Sequence, residues 1–557
     1  MFKSLSTSTP MVDYKSKAAL VIDDYPNMRS AFRSALAAFG LTKVDMAASA
    51  SEAVNRVKNT HYDIIISDYN LGDSRDGQQM LEEMRHLGLI GIETTFLMVT
   101  AESLYERVVA AAELAPDDYL IKPFNADIMR SRLDAILAKK EAFAVVYRDF
   151  GRGDLEAALE GCDDLMASRP KYLIDAMRFK GEVLQAMGRF DEAGALYDEV
   201  VRLRAVPWAR LGLARTLHLR SKAADAEAIL EDLIEQYHEL VPAYDLLADV
   251  QLAQDKVQDA QRTLQRGVAT SAKSVNRQRR LGEVAYLNGD LGTAEAAFDA
   301  TVRKGKHSVF LAANDFANLS RVHLDRGETD KAMNVILDNR KLLQESDDGR
   351  LVAAVVTGLA YSRAGNIAEA ERQMKEALRL RQLGAKGKPE LLLDMTESCL
   401  ATGMNDAAAE LLGEVAGNAH DSEHLLNKAK AIYAKAGQAE AAQAVIDKTT
   451  ANVVRLSKQG ALRTQRGDLA GAAKLLFGAA AEAPRNPRVL LNAAWVALRL
   501  METDPGQSQY LNRVRILLDD VRHLAPDHPR LAGLQTKLRA VETALGVKSA
   551  PPRRRTE

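Results

Sequence analysis

Cysteine is nearly absent from this chain, which has 2 in 557 residues, Cys162 and Cys399. The two lie far apart and lack the close spacing of metal ligands. The sequence therefore excludes a disulfide framework and a cysteine-based metal site. Isolated thiols of this kind are typical of a reducing compartment, where they are usually buried.

Long hydrophobic runs are also missing. Hydrophobic residues make up 47% of the chain, yet no uncharged apolar run reaches the ~18 residues that a membrane-spanning helix needs. The first ten residues lack the apolar centre of a signal peptide. We therefore expect a cytoplasmic protein with no membrane insertion.

Neither sign of charge is in excess. Lys and Arg number 74 against 76 Asp and Glu, a net charge of −2. This balance argues against an extended nucleic-acid surface, so no nucleic-acid partner is expected. The chain is too long for a single core, and its length predicts roughly three or four domain-sized units.

Hydrophobic runs and amphipathic stretches alternate in the N-terminal quarter. Strands are expected at Ala18–Ile22, Val44–Ala47, Asp63–Ser67, Thr95–Val99 and Tyr119–Ile121, and helices at Asn27–Phe39, Ala50–Lys58, Gly77–Leu87 and Ser103–Leu114. Strands that alternate with helices favour a parallel sheet covered on both faces, so the expected fold class of this part is α/β.

Polar side chains stand where these strands end. Asp23 and Asp24 follow the first strand, Asp68 the third, Thr100 the fourth and Lys122 the fifth. Taken alone, an Asp pair is usually a helix cap and a Lys-Pro a turn. Their joint order matters, because the carboxyl ends of parallel strands meet at one edge of a sheet, where chemistry collects. Clustered carboxylates there also suit a hard cation such as Mg²⁺.

Residues 17–140 thereby resemble the receiver domain of two-component response regulators, which has a flavodoxin-like fold with a five-stranded parallel sheet. The resemblance implies that Asp68 is the phosphoacceptor. It also implies that Asp23, Asp24 and Asp68 bind Mg²⁺ together with the backbone carbonyl of Asn70.

The same resemblance gives roles to residues on the last two strands. Lys122 would pair with the phosphoryl group, and the Lys122-Pro123 peptide bond would be cis. Thr100 would donate a hydrogen bond from its hydroxyl to the phosphoryl group. Tyr119 would be the aromatic switch residue that turns inward when Thr100 moves. The alternative for Tyr119 is an aromatic residue that merely packs at a strand edge.

Two further features concern phosphoryl lifetime and the loop after Asp68. Asn70 and Glu102 lie two residues after Asp68 and Thr100, and this pair resembles that of fast-cycling chemotaxis regulators, which implies a short-lived phosphoryl group. The loop Leu71–Gly77 lacks the usual Pro and is one residue longer than the family pattern. This departure concerns the shape of the loop and the kinase specificity.

A repeated pattern dominates the rest of the chain. A turn residue, mostly Gly, is followed five positions later by Ala, and most steps are 33–35 residues, with three of 38 and a last one of 30. The pairs are Gly153/Ala158, Gly188/Ala193, Ser221/Ala226, Asp255/Ala260, Gly289/Ala294, Gly327/Ala332, Gly365/Ala370, Gly403/Ala408, Gly437/Ala442 and Gly467/Ala472. Such a period, with Gly ending a first helix, predicts stacked helical hairpins.

Residues 141–545 thus resemble an all-α solenoid of tetratricopeptide repeats (TPR), with ten clear units and a degenerate eleventh near Val489–Ala525. Arrays of this kind bind a protein or peptide in a groove. Six positions before the turns, where some family members carry an Asn that clamps a carboxylate, stand Glu182, Arg215, Asp249, Glu283, Arg321, Leu359 and Glu397. A carboxylate clamp is therefore not expected, and the groove is of mixed charge.

One motif within the array suggests other chemistry. His420, Glu423 and His424 match an H-x-x-E-H metalloprotease pattern. The pattern falls at the start of a repeat helix, where Asp421 or Ser422 could simply cap the helix. We expect no metal there.

The junction between the two parts lacks helix breakers. No Gly or Pro occurs from Asn125 to Phe150, and apolar residues keep helical spacing, so the last receiver helix is expected to run into the first array helix. The alternative is a break near Lys139-Lys140. The expected domains are a flexible tail at 1–16, the receiver at 17–140, the array at 141–545 and a disordered basic tail at 546–557.

The expected function is that of a response regulator in a phosphorelay. A sensor histidine kinase or phosphotransfer protein would phosphorylate Asp68, and phosphorylation would control binding of a protein in the array groove. No enzymatic activity is expected beyond self-phosphotransfer and self-dephosphorylation. The alternative is a phosphate sink or kinase-docking scaffold whose array binds independently of phosphorylation.

Overall fold

The computed structural model describes residues 13–72, 75–101, 116–203, 206–272, 274–306, 308–525, 528 and 530–547. These residues form two compact units. The first comprises 13–185, 189–277 and 308–310, and the second comprises 186–188, 278–306 and 311–547.

The first unit begins with a five-stranded sheet. Its strands are β1 (Ala18–Ile22), β2 (Lys43–Ala47), β3 (Ile64–Asp68), β4 (Thr95–Thr100) and β5 (Asp118–Ile121). All pair in parallel in the order β2-β1-β3-β4-β5. The predicted α/β sheet is confirmed, and each predicted strand end lies within one residue of the observed one.

Three helices accompany these strands: α1 (Pro26–Ala38), α2 (Ala50–Asn59) and α3 (Gly77–His86). Each start has a local cause, since Pro26 occupies the first position of α1, the Ser49 side chain caps α2, and Asp76 with Gln79 forms a capping box on α3. The helix predicted at Ser103–Leu114 lies outside the described residues.

The next helix, α4 (Ala126–Arg152), joins the sheet to the array without a break. The Asn125 side chain accepts a hydrogen bond from the Ile128 amide and caps its start, and Gly153, with φ of 77°, ends it. Its 27 residues span about 40 Å at 1.5 Å per residue. The predicted continuous helix is confirmed, and the alternative of a break near Lys139-Lys140 is wrong.

Side chains that alternate along the strands cover the two faces of the sheet. Leu20 and Ile65 pack in one cluster with residues of α2 and α3. Val21 and Ile66 pack in the other with residues of α1 and α4. Because both faces are covered, polar chemistry at this sheet is confined to its edges.

The array consists of paired helices. They are α5 (Leu155–Ser168), α6 (Leu173–Ala186), α7 (Phe190–Leu203), α8 (Pro207–Leu219), α9 (Ala223–Gln236), α10 (Val241–Leu252), α11 (Val257–Thr270), α12 (Val275–Leu287), α13 (Leu291–Gly305), α14 (Ala313–Asp325), α15 (Thr329–Asp338), α16 (Arg340–Leu343), α17 (Asp347–Arg363), α18 (Ile367–Gln382), α19 (Pro389–Ala401), α20 (Asn405–Asn418), α21 (Glu423–Lys435), α22 (Ala439–Gln465), α23 (Leu469–Glu482), α24 (Pro487–Thr503), α25 (Leu511–Leu524) and α26 (Leu531–Ala544).

Both positions of the repeat pattern behave as predicted. All ten turn residues have φ between 59° and 81°. All ten alanines are 0% exposed. Small residues at these buried positions let paired helices approach closely, which explains the period.

Two parts of the array depart from the simple hairpin. Helix α22 runs without interruption through the end of one unit and the start of the next, where the turn-to-turn step shortens to 30 residues. In a longer unit, the short helix α16 follows α15 directly. The degenerate last unit is formed by α24 and α25, and α26 follows it in the sequence.

Candidate functional site

Three carboxylates meet at the carboxyl edge of the sheet. Asp23 and Asp24 directly follow β1, and Asp68 is the last residue of its parallel neighbour β3. One oxygen from each side chain lies within 4.8 Å of the others. This cluster unites the three acids that the sequence placed at strand ends.

Two of the carboxylate oxygens in this cluster suit a cation. Asp23 Oδ2 and Asp24 Oδ1 are buried, and no described residue hydrogen-bonds to them. The other Asp23 oxygen accepts the Tyr25 amide at 2.8 Å, which fixes the side chain. Burial raises the pKa of Asp23, and the nearby Asp68 adds to this rise. A hard cation ligated by oxygen would relieve both effects.

Lys122 supplies the positive charge of the site. Its Nζ lies 3.1 Å from Asp68 Oδ2 and 3.8 Å from Asp23 Oδ2. Burial raises the pKa of Asp68, although the Lys122 ammonium opposes this rise. The Lys122-Pro123 bond is cis, as predicted.

Thr100 and Tyr119 occupy the neighbouring strands. Thr100 is the last residue of β4 and is 4% exposed, and its carbonyl accepts the Lys122 amide at 2.8 Å. Tyr119 on β5 is 4% exposed and belongs to the cluster that α2 and α3 cover. The ring therefore lies inside the fold in this structure.

Asn70 and Glu102 are the positions to which the sequence assigned the phosphoryl lifetime. Asn70 is exposed, two residues beyond Asp68. Glu102, predicted to influence phosphoryl lifetime, lies outside the described residues, as do Asp73 and Ser74 of the long loop. The roles of Asn70 and Glu102 stay predictions.

Gly77 is a site residue that the sequence pattern did not single out. A Cβ at this position would lie 2.5 Å from the Asp68 carbonyl oxygen and 2.8 Å from Met98 Sδ. The Gly77 amide donates to the Tyr69 carbonyl at 2.7 Å. The start of α3 is thus packed directly against the end of β3, and a Gly at the first helical position was the available signal.

A buried ion pair in the second unit includes Arg321, one of the residues that the sequence placed six positions before a turn. Arg321 on α14 donates through Nε to both oxygens of Asp394 on α19, at 3.0 and 2.8 Å, and both side chains are 4% exposed. Lys428 on α21 lies 3.8 Å from Asp394 and donates to the hydroxyl of Tyr286 on α12 at 3.3 Å.

Further contacts extend this pair into a cross-repeat network. The Tyr286 hydroxyl donates to Asp325 at 2.6 Å, and Arg363 binds Asp325 at 2.8 Å and Glu397 at 3.0 Å. The network joins the first helices of five consecutive units. The charges of this network are paired with one another, whereas the mixed charge of the groove stays a prediction.

Other candidate metal groups fit poorly. His420, Glu423 and His424 do not form a metal-ligand cluster in the part of the chain that the structure describes. Glu295, His323 and Glu328 converge, but Arg326 contacts both acids and Lys331 lies 3.1 Å from Glu328. These cations already neutralise the acids.

No helix among the described residues is long and apolar enough to cross a membrane.

Comparison with known proteins agrees with this geometry. Residues 19–134 match the family model of the response regulator receiver domain, and residues 175–199 and 207–232 match tetratricopeptide repeat models. The chemotaxis protein CheY-3 of Vibrio cholerae is 28% identical over 131 residues, which cover 22% of this chain and 95% of that protein. CheY of Pseudomonas aeruginosa is 25% identical over 126 residues, with the same coverage.

Solved structures resemble the array. A tetratricopeptide repeat protein from Parabacteroides merdae is 12% identical with a TM-score of 0.34, covering 53% of this chain and 98% of its own. The type IV pilus biogenesis factor PilW is 16% identical with a TM-score of 0.28, covering 39% of this chain and 96% of its own. Both TM-scores are low, and neither structure bears on the function of the repeats.

Proposed function

Since this chain joins a response regulator receiver domain to an array of tetratricopeptide repeats, we propose that it is a phosphorylation-controlled protein-interaction switch. Asp68 receives a phosphoryl group from a histidine kinase or phosphotransfer protein. The state of Asp68 then sets the affinity of the array for a protein partner.

The chemistry of Asp68 is a phosphoryl transfer. A carboxylate oxygen of Asp68 attacks the phosphorus of a phosphohistidine, so an O–P bond forms as the N–P bond breaks and the histidine nitrogen leaves. Bound Mg²⁺ would neutralise the phosphoryl oxygens. Asp23 and Asp24 are the residues to hold it, with Asp68 and the Asn70 carbonyl as further ligands.

Two other side chains act on the phosphorylated form. The Lys122 ammonium, already 3.1 Å from Asp68, offsets the added negative charge. Thr100 donates its hydroxyl to a phosphoryl oxygen. Water then hydrolyses the acyl phosphate, which resets Asp68, with Asn70 and Glu102 as lifetime-setting positions. We expect no other catalysis.

The observation that carries this proposal is the single cluster formed by Asp23, Asp24, Asp68 and Lys122. These residues are distant in sequence and belong to three strand ends. Two buried carboxylate oxygens without hydrogen-bond partners among the described residues make the cluster unsuited to a purely structural role, because such groups are costly to bury.

A direct test is labelling of the full chain with an acyl phosphate such as acetyl phosphate. The wild type should be labelled only with Mg²⁺ present, and Asp68→Asn should not be labelled, because the amide cannot act as the nucleophile. Labelling that persists in Asp68→Asn would refute the site.

The output is tested by partner capture. Proteins retained by the full chain are compared with and without beryllofluoride, an acyl-phosphate mimic, using Asp68→Asn as the control. Retention that changes in the wild type alone supports the switch. If the retained proteins are the same with and without beryllofluoride, the alternative of a phosphate sink or kinase-docking scaffold is favoured.

A further inference from the structure

Helix α3 is packed and hydrogen-bonded against the backbone at the end of β3, where Asp68 lies. The Gly77 amide bonds to the Tyr69 carbonyl at 2.7 Å, and no room remains for a Cβ between Gly77 and the Asp68 backbone. Because the first residue of α3 is hydrogen-bonded to Tyr69, the residue that follows Asp68, a shift at the end of β3 would displace the helix with it.

Three residues of the first unit lie at or just before the starts of the first helices of successive repeats. Asp245 lies near the start of α10, Arg277 near the start of α12, and Phe310 shortly before α14, at steps close to the repeat period. Arg277 binds both oxygens of Asp245, at 2.9 and 2.7 Å. We call these three residues the repeat row.

The C-terminal half of α3 lies against this repeat row. The rings of His86 and Phe310 have centroids 5.0 Å apart. One turn earlier, Glu82 is half-buried near Arg277 and Asp245. Burial raises the pKa of Glu82, while a hydrogen bond from Gln78 and the positive charge of Arg277 oppose the rise. The charge of Glu82 is thus influenced by a cation of the array.

Helix α4 holds the receiver beside the array. Lys140 on α4 binds Asp117 at 2.9 Å and the Thr94 carbonyl at 2.8 Å, both at the amino end of the sheet. The preceding Lys139 binds Asp175 near the start of α6 at 2.5 Å. These contacts lie at the sheet edge opposite Asp68, so they can remain while α3 moves.

We propose that α3 is an output face of the receiver and that the repeat row is its partner within the same chain, in a contact that phosphorylation of Asp68 weakens. The contact masks the row in the unphosphorylated protein and exposes it after phosphorylation. The phosphorylation step rests on the proposed function, whereas the contact itself does not.

A cysteine pair tests the contact in the full chain. His86→Cys with Phe310→Cys places thiols on the two sides, and the native Cys162 and Cys399 are buried. A short bismaleimide should crosslink the pair efficiently, and beryllofluoride with Mg²⁺ should slow crosslinking by at least about fivefold, the lower range of allosteric coupling. The control pair, Lys139→Cys with Asp175→Cys, should crosslink equally in both states.

Two outcomes would overturn the inference. Efficient crosslinking of the control pair without crosslinking of the test pair would show that α3 does not contact the repeat row. Equal crosslinking of the test pair with and without beryllofluoride would show that the contact is not coupled to Asp68. Acetyl phosphate labelling of the same protein separates this second failure from failure of the proposed function, in which Asp68 would not be labelled.

The wild-type chain provides a second measurement without substitutions. Amide hydrogen exchange over residues 77–86 and 308–310 should accelerate by at least about fivefold with beryllofluoride and Mg²⁺. The same treatment should leave exchange unchanged in Asp68→Asn. Unchanged exchange in the wild type would contradict the inference.

Discussion

Gly77 is the residue on which the proposed path from Asp68 to α3 depends most. Replacing it with Ala would set a Cβ 2.5 Å from the Asp68 carbonyl oxygen, a backbone atom that cannot rotate away. We expect Gly77→Ala to destabilise the receiver by about 1–3 kcal/mol, as overpacking does, and to slow labelling of Asp68. Chemical denaturation and acetyl phosphate labelling measure the two effects.

Gly151→Ala is the matched control for this substitution. Gly151 lies inside α4, where an added Cβ meets no atom within 4 Å. Because Ala is the better helix former, this variant should gain about 0.5–1 kcal/mol. If both variants denature alike, the close approach of Gly77 to Asp68 does not exist in solution.

The sequence predicts the position of a site residue well when that position is defined by the residue's own strand. Asp23, Asp68, Thr100 and Lys122 could be located because strand ends are visible as the ends of hydrophobic runs. The close packing of Gly77 and the unpaired oxygens of the acid pair could not, because they depend on distances between strands and helices.

The turns of the array differ in how well their residues tolerate a positive φ. Ser221 and Asp255 end their helices with φ of 59° and 62°, a conformation that Gly adopts at eight of the ten turns. A non-Gly residue there costs roughly 1–2 kcal/mol. We expect Ser221→Gly to raise the free energy of unfolding by about 1 kcal/mol, measured by denaturation.

The reverse substitution provides the control. Gly289 has φ of 77°, and a Cβ added there would meet no atom within 4 Å. Gly289→Ala should therefore lose about 1 kcal/mol through backbone strain alone. Equal stabilities of wild type and both variants would mean that these turns relax without cost.

The ion pair between α14 and α19 buries two opposite charges, so removing one partner and removing both should have different effects on stability. Arg321→Met leaves the buried Asp394 carboxylate without its main partner and should cost about 3–5 kcal/mol. The double variant Arg321→Met with Asp394→Leu should cost less, because neither member of the pair stays buried without the other. Arg372→Met, which removes an exposed partner of Glu369, should leave the free energy of unfolding nearly unchanged, because solvent screens exposed ion pairs.

The pH dependence of this pair has a definite sign. Burial is the largest single influence on Asp394 and opposes its ionisation. The charges of Arg321 and Lys428 and the hydrogen bond from Arg321 together outweigh it, so the pKa of Asp394 is lowered. The contribution of the Arg321–Asp394 pair to the free energy of unfolding is present at neutral pH and is lost as the pH falls through the acid range. The stability gap between wild type and Arg321→Met should narrow there, and a constant gap would contradict the assignment.

Local periodicity explains which array elements could be predicted. The turns and buried alanines follow from residues a few positions apart, so the sequence contains them. The cross-repeat network links Tyr286 to Lys428, 142 residues away, and no local pattern encodes such a contact. The continuous helix α22 lies between these cases, since the short step of 30 residues is visible in the sequence but the loss of a connecting loop was not predicted from it.

For the whole molecule, the decisive element is α4, because one rigid helix belongs to both the receiver and the first repeat. Two glycines inserted after Lys140 would advance the following residues by about 3 Å and rotate them by about 200°, and would weaken the helix itself. Lys139 and Lys140 would keep their place on the receiver side, while Asp175 and the repeat row would be displaced relative to α3.

We expect this insertion to leave labelling of Asp68 intact and to abolish the dependence of partner retention on beryllofluoride. Both are measured on the full chain, with two glycines inserted after Gly384 as the control, since that residue lies in a connecting loop with φ of 107°. The control should behave as the wild type. If the insertion after Lys140 also preserves phosphorylation-dependent retention, rigid coupling through α4 is refuted, and control of the array by the receiver must pass through contacts that tolerate a displaced junction.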